Sequence, residues 1–131
     1  MKRHLLIAAI AALCCLCTDV KASSLFGKVI DVNSGDVITI VNFNRPVRVK
    51  LVGVDAPEMD QAFGDVAKKH LSDLIHDKSV VVEYSGIAAD GSVVGRVLLN
   101  DADVCAQMIR DGAAWFDPNN LSSLSGKVRE I

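Results

Sequence analysis

The sequence is poor in several things. Of its 131 residues only six are aromatic: four Phe, one Tyr and one Trp. One tyrosine and one tryptophan are too few stacking platforms for a surface that grips single strands mainly by their bases. Cysteine is nearly confined to the start of the chain. Cys14, Cys15 and Cys17 lie there, and Cys105 stands alone beyond them. A single thiol makes neither an internal disulfide nor a cysteine metal site. Cys105 instead reads as a small buried hydrophobe on a helix. A basic excess is also missing, because 14 Lys and Arg face 16 Asp and Glu, a net charge of −2. That argues against broad electrostatic binding of a polyanion. The length allows one domain and excludes a multi-span membrane protein.

What is present begins with an export pattern. Lys2, Arg3 and His4 form a basic start, and Leu5 to Cys17 is an apolar run of thirteen residues. A membrane span needs about 20. Val20-Lys21-Ala22 offers small-x-small chemistry for cleavage before Ser23. We expect residues 1–22 to be a signal peptide and residues 23–131 the mature domain. Secretion or periplasmic location follows, without stable membrane association after cleavage. The rival reading is a lipid anchor at Cys14, Cys15 or Cys17, but the residues before them are not small. Cleavage leaves 11 basic and 15 acidic residues, a net charge of −4, and only Cys105.

The mature chain shows no repeat and no linker. Leu25–Val32, Asp36–Asn42 and Val47–Val54 read as three strands, joined by Asn33-Ser34-Gly35 and Asn44-Arg45-Pro46. In the third, Val47, Val49 and Leu51 share one face, and Arg48, Lys50 and Val52 the other. Gln61–His76 has helical spacing, with Phe63, Val66, Ala67, His70, Leu71, Leu74 and Ile75 on its apolar side. Val80–Tyr84 and Val93–Leu99 are two further strands. Asp101 is placed to cap a helix over Ala102–Asp111, ended by Gly112. Leu121, Leu124, Val128 and Ile131 are spaced like the start of another helix, which the end of the chain truncates. Seventeen valines and seven isoleucines in the mature chain suit strands. The order β-β-β-α-β-β-α predicts a mainly β fold: a five-stranded OB-type barrel with two full helices and a truncated third. A parallel α/β sheet would need βαβ alternation, which is absent.

The residues with chemistry sit where elements end. Asp36 starts the second strand, and Asp55 and Glu58 flank Pro57 after the third. Carboxylates converging on one cleft suit a hard divalent cation, which takes oxygen ligands and tolerates backbone carbonyls. Taken singly, Asp36 also reads as a turn former and Asp55 as a cap. The cations are Arg48 and Lys50, about 6.6 Å apart along one strand face, and Arg96 in an otherwise apolar strand. A charge there needs a partner, so Arg96 also reads as half of a structural ion pair. Carboxylates, a metal and cations together are equipment for phosphodiester chemistry. His70 and His76, six residues apart, read as a partly buried structural histidine and a helix-end cation.

Taken in order, Ser34-Gly35-Asp36, then Val47 to Glu58 ending in Val54-Asp55-Ala56-Pro57-Glu58, then Gly95-Arg96 and Gly112-Ala113-Ala114-Trp115 resemble the thermonuclease, or staphylococcal-nuclease-like, family. Gln61-Ala62-Phe63-Gly64 before a helix also looks like the family. The resemblance runs from about Gly27 to Phe116. It implies a calcium-dependent nuclease acting on DNA and/or RNA and leaving 3′-phosphate ends. By position, Asp36, Asp55 and the Ala56 carbonyl would hold Ca2+. Glu58 would be the general base, and Arg96 would stabilise the phosphate charge. Lys50 stands where the family has arginine, which keeps the charge and loses the planar fork. Arg48, on the same face, is a candidate substrate contact. Ser34 replaces a usual aspartate, and Val94 the tyrosine usual before Gly-Arg. A monomer is expected. These departures leave a second reading open: a catalytically weakened OB module that binds nucleic acid or another anionic partner.

Overall fold

The computed structural model describes residues 23–119. The expected signal peptide and the expected last helix both lie outside these residues. Within them, five strands close a barrel: β1 (Ser23–Val32), β2 (Val37–Asn42), β3 (Arg45–Leu51), β5 (Ser79–Ile87) and β6 (Val93–Leu99). The sheet order is β3-β2-β1-β5-β6, and a parallel pairing of β3 with β6 shuts the ring. The seam pairs Val49–Leu51 with Val93–Gly95 and covers the strand edges there. Two-residue strands β4 (Val54–Asp55), β7 (Ala102–Asp103) and β8 (Trp115–Phe116), with helices α1 (Gly64–Ile75) and α2 (Val104–Arg110), complete the fold. The OB-type barrel predicted from element order is thus the architecture found. Among the described residues no helix is long and apolar enough to cross a membrane.

Alternation builds the core. Val29, Val32, Ile38, Ile40, Val49, Leu51, Val80, Val82, Val93 and Val97 all point inward and are buried. β-Branched side chains are stiff and pack well on a pleated surface, so a Val- and Ile-rich chain suits this barrel. A register shift between Val29 and Asp31 bends β1, so that one long strand can pair with both β2 and β5. Ala67, Leu71 and Ile75 of α1, and Val104, Cys105 and Met108 of α2, join the same core. Burial pushes the Cys105 thiol up to about 12, so it is an inert apolar filler, as expected.

Several boundaries differ from the sequence reading: β1 starts at Ser23, β3 at Arg45, and β5 runs on to Ile87. The third strand stops at Leu51, because Gly53 takes a positive φ of 69° and turns the chain before β4. Asn100 and Asp101, both with positive φ, form a hairpin turn between β6 and β7. The cap of α2 is therefore Asp103, whose carboxylate accepts from the Ala106 N–H at 3.0 Å. Helix α1 starts at Gly64 rather than Gln61, and Phe63 and Val66, expected on its apolar side, are exposed.

His70, on α1, meets Asp111 at the end of α2, with Nε2 and Oδ2 2.7 Å apart. Gln107 donates to the other carboxylate oxygen at 2.7 Å. The His70 contact first, then the Gln107 contact, holds the Asp111 carboxyl below the usual carboxylate range. A depressed folded value stabilises the fold above the unfolded value of about 4, and that stability is lost as pH falls through the folded value. Asp111→Asn should therefore lower the urea midpoint at pH 7. The gap to the parent protein should close on acidification below about pH 4.

Candidate active site

The site lies where the β1–β2 turn meets the Asp55–Glu58 segment and α1. Asn33 and Ser34 N–H groups both donate to the Val37 carbonyl, folding the turn back on itself. A Cβ on Gly35 would lie 2.7 Å from the Cβ atoms of both Ala56 and Ala67. Only glycine allows this approach, and it carries the next residue, Asp36, against Ala56.

Asp36 is 8% exposed and both of its carboxylate oxygens have partners. Oδ1 accepts from the Ser34 hydroxyl at 2.7 Å. Oδ2 accepts from the Ala56 N–H at 3.3 Å and forms an ion pair with the Lys50 ammonium. Lys50 Nζ also donates to the Val54 carbonyl at 3.0 Å. The structure thus brings Asp36, Lys50 and Ala56 to one point, with exposed Asp55 next along the chain.

Glu58 is exposed and held by its backbone. Its N–H donates to Gln61 Oε1 at 2.8 Å, and its carbonyl accepts from the Gln61 N–H at 2.9 Å. A Cβ on Gly64 would sit 2.1 Å from that carbonyl, so Gly64 lets the turn close on the start of α1. Gln61, read from sequence as the first residue of the helix, is instead the clip on the Glu58 turn. A glutamine three residues after an acidic residue was the available signal.

Arg96 is placed differently. It lies opposite Glu83 in the β5–β6 register, and its Nε and Nη2 both donate to Glu83 Oε2, at 3.1 and 2.7 Å. The structural ion pair that the sequence left open is therefore present, with Glu83 as the partner that sequence reasoning did not name. Lys50 pairs with Val94 across the β3–β6 seam, so Arg48, Lys50, Arg96 and Glu83 share one outer face of the barrel. Arg48 is exposed on it.

Asp55 pairs with Trp115 across β4 and β8. Beside them a pocket of about 170 Å³ is lined by Pro57, Phe63, Val66, Gly112, Ala114 and Trp115. Trp115 is 64% exposed.

Carboxylates and a backbone carbonyl are the right donor chemistry for a hard divalent cation, and Asp36, Asp55 and Ala56 supply it. Among the described residues no group of three His, Cys, Asp or Glu side chains is close enough to hold a metal alone. A cation here would complete its shell with the carbonyl and water.

The family model described as Staphylococcal nuclease homologue matches residues 48–125, more than half of the chain. Protein ParB of Escherichia coli is 34% identical over 127 residues, covering 88% of this chain and 72% of the relative. The chain belongs to the staphylococcal nuclease homologue family. A protein named Uncharacterized endonuclease from Escherichia coli is 35% identical over 101 residues, covering 76% and 63% of the two chains. Micrococcal nuclease of Shigella flexneri is 32% identical over 117 residues, covering 82% and 67%. The chain therefore spans roughly two thirds of the length of these relatives. The family assignment and the closed barrel agree with the resemblance read from the motifs.

In this member of the staphylococcal nuclease homologues, the Gly35 position has no room for a side chain. Gly35→Ala should destabilise the fold by about 1–3 kcal/mol through overpacking against Ala56 and Ala67. A lowered thermal midpoint with an unchanged unfolding slope is the expected measurement.

Proposed function

We propose that this chain is an exported, calcium-dependent nuclease that hydrolyses phosphodiester bonds of DNA and/or RNA. The observation that carries the reading is the convergence of Asp36, Lys50 and Ala56, with Asp55 and Glu58 adjacent, in a chain of this family. Relatives named as an endonuclease and a micrococcal nuclease support the reaction class. The basic start and apolar run within residues 1–22 support cleavage near Ala22 and export, and the exported domain is proposed to act as a monomer.

Asp36, Asp55 and the Ala56 carbonyl would hold Ca2+. The ion would supply charge neutralisation for the phosphate oxygens. Glu58 takes the proton of the attacking water, whose oxygen bonds to phosphorus as the bond to the leaving oxygen breaks, and the leaving oxygen takes a proton from solvent water. The turn clipped by Gln61 fixes where that carboxylate starts. Arg96, anchored by Glu83 through one edge of its guanidinium, presents the other edge to the phosphate. Lys50 adds charge on the same face, and Arg48 extends it along the substrate. The fit of an acidic domain to a polyanion is then local: Arg48, Lys50 and Arg96 share one face of a domain that is acidic overall.

The second reading is a catalytically silent module for an anionic partner. The Lys50 ammonium on Asp36 favours it, since that contact occupies a carboxylate the reaction needs. One assay separates the two. Heat-denatured DNA and RNA should release acid-soluble nucleotides with calcium and not with chelator. Glu58→Gln should lower the rate by about 10²-fold or more. A cooperatively folded sample without calcium-dependent release rules out the nuclease.

A further inference from the structure

Asp36 is a nearly buried carboxylate, and such a group needs compensation where it sits. Ser34 and Ala56 give it two neutral hydrogen bonds. Among the described residues, its full opposite charge comes from Lys50. The Lys50 side chain is 33% exposed and that of Asp36 only 12%, so the pair is shielded from water on most sides. The second hydrogen bond of Nζ, to the Val54 carbonyl, fixes the ammonium at this place. An ammonium bonded to one carboxylate oxygen and one backbone carbonyl has two oxygen contacts of the kind a hard cation makes.

The other cations on this face are committed elsewhere or exposed. Arg96 is bound to Glu83, and Arg48 of β3 is exposed opposite Thr39 of β2. Lysine is suited to the role. Its charge is a compact point on a flexible stem, whereas an arginine fork spreads its charge over a plane and forms paired contacts.

We propose that the Lys50 ammonium is a tethered counter-cation for Asp36, which a divalent cation must displace before it can use that carboxylate. The inference rests on the reading that Asp36 is a calcium ligand. A tethered ammonium acts at high effective concentration, so it weakens the binding of a free ion without any new contact. It also lets the metal-free domain fold without an uncompensated buried charge. Once displaced, Lys50 remains on the outer face with Arg48 and Arg96, so binding of the metal releases a cation to the side where a phosphate would lie.

The test uses the full chain, calorimetric titration with CaCl2, and thermal melts in calcium and in chelator. Lys50→Met removes the charge, and Lys50→Gln removes it while keeping a donor for the Val54 carbonyl. Both should bind calcium at least about tenfold more tightly than the parent chain. Both should melt lower in chelator and recover with calcium. Asp36→Asn should also melt lower in chelator, because it strands Lys50. At a site of mutually repelling metal carboxylates the same change would raise the melt. Equal or weaker calcium binding by the neutral variants overturns the proposal, as does a raised Asp36→Asn melt in chelator. If neither neutral variant folds, the sign of the Asp36→Asn shift decides. No calcium binding by any of the proteins overturns both this proposal and the calcium reading. Unchanged affinities alongside calcium-dependent nucleotide release by the parent chain overturn only the counter-cation.

Discussion

The whole acidic end of this barrel depends on one close approach. The Gly35 turn packs on Ala56 and Ala67 with no room for a side chain. That contact joins three parts of the chain distant in sequence: the β1–β2 turn, the segment after β3, and α1. It buries Asp36, and burial forces the carboxylate to find partners. Ser34, Ala56 and Lys50 are those partners, and each reaches Asp36 from a different segment. The barrel contributes the rest. Closure through the parallel β3–β6 seam puts Lys50 and Arg96 on one face, which no hairpin alone would do.

Much of this was legible in the sequence because it is written locally. Strict alternation in Val47 to Leu51 gave the inward and outward faces of β3, and Ala67, Leu71 and Ile75 gave the buried side of α1. Asp36, Asp55, Ala56 and Glu58 stand at element ends, so a reading of boundaries finds them. The parts that were not legible depend on register or on backbone sign. Glu83 meets Arg96 only because β5 and β6 pair at that offset, which spacing within either strand does not encode. Asn100-Asp101 could begin a helix or turn a hairpin. The positive φ of both residues makes it the hairpin and moves the cap to Asp103. Phe63 and Val66 fit a helical apolar stripe, yet among the described residues they line an open pocket instead of the core.

Charge explains why the site is arranged in pairs. Asp36 is held with Lys50, and Arg96 with Glu83. Each pair is partly shielded, where a lone charge costs far more than a matched one. The pairing compensates these charges within the barrel, and under the proposed function an anion would share Arg96 with Glu83 while a cation would displace Lys50 from Asp36. The two pairs are not equivalent. A guanidinium can keep Glu83 on one edge and take a phosphate oxygen on another, since its donors fan out in a plane. An ammonium has no second edge, and two of the three Lys50 donors are already directed at Asp36 and the Val54 carbonyl. Under the counter-cation proposal, a lysine at position 50 must therefore be exchanged for the metal, where a guanidinium could be shared. That difference, rather than the overall acidity of the domain, sets how readily the proposed metal and substrate sites can fill.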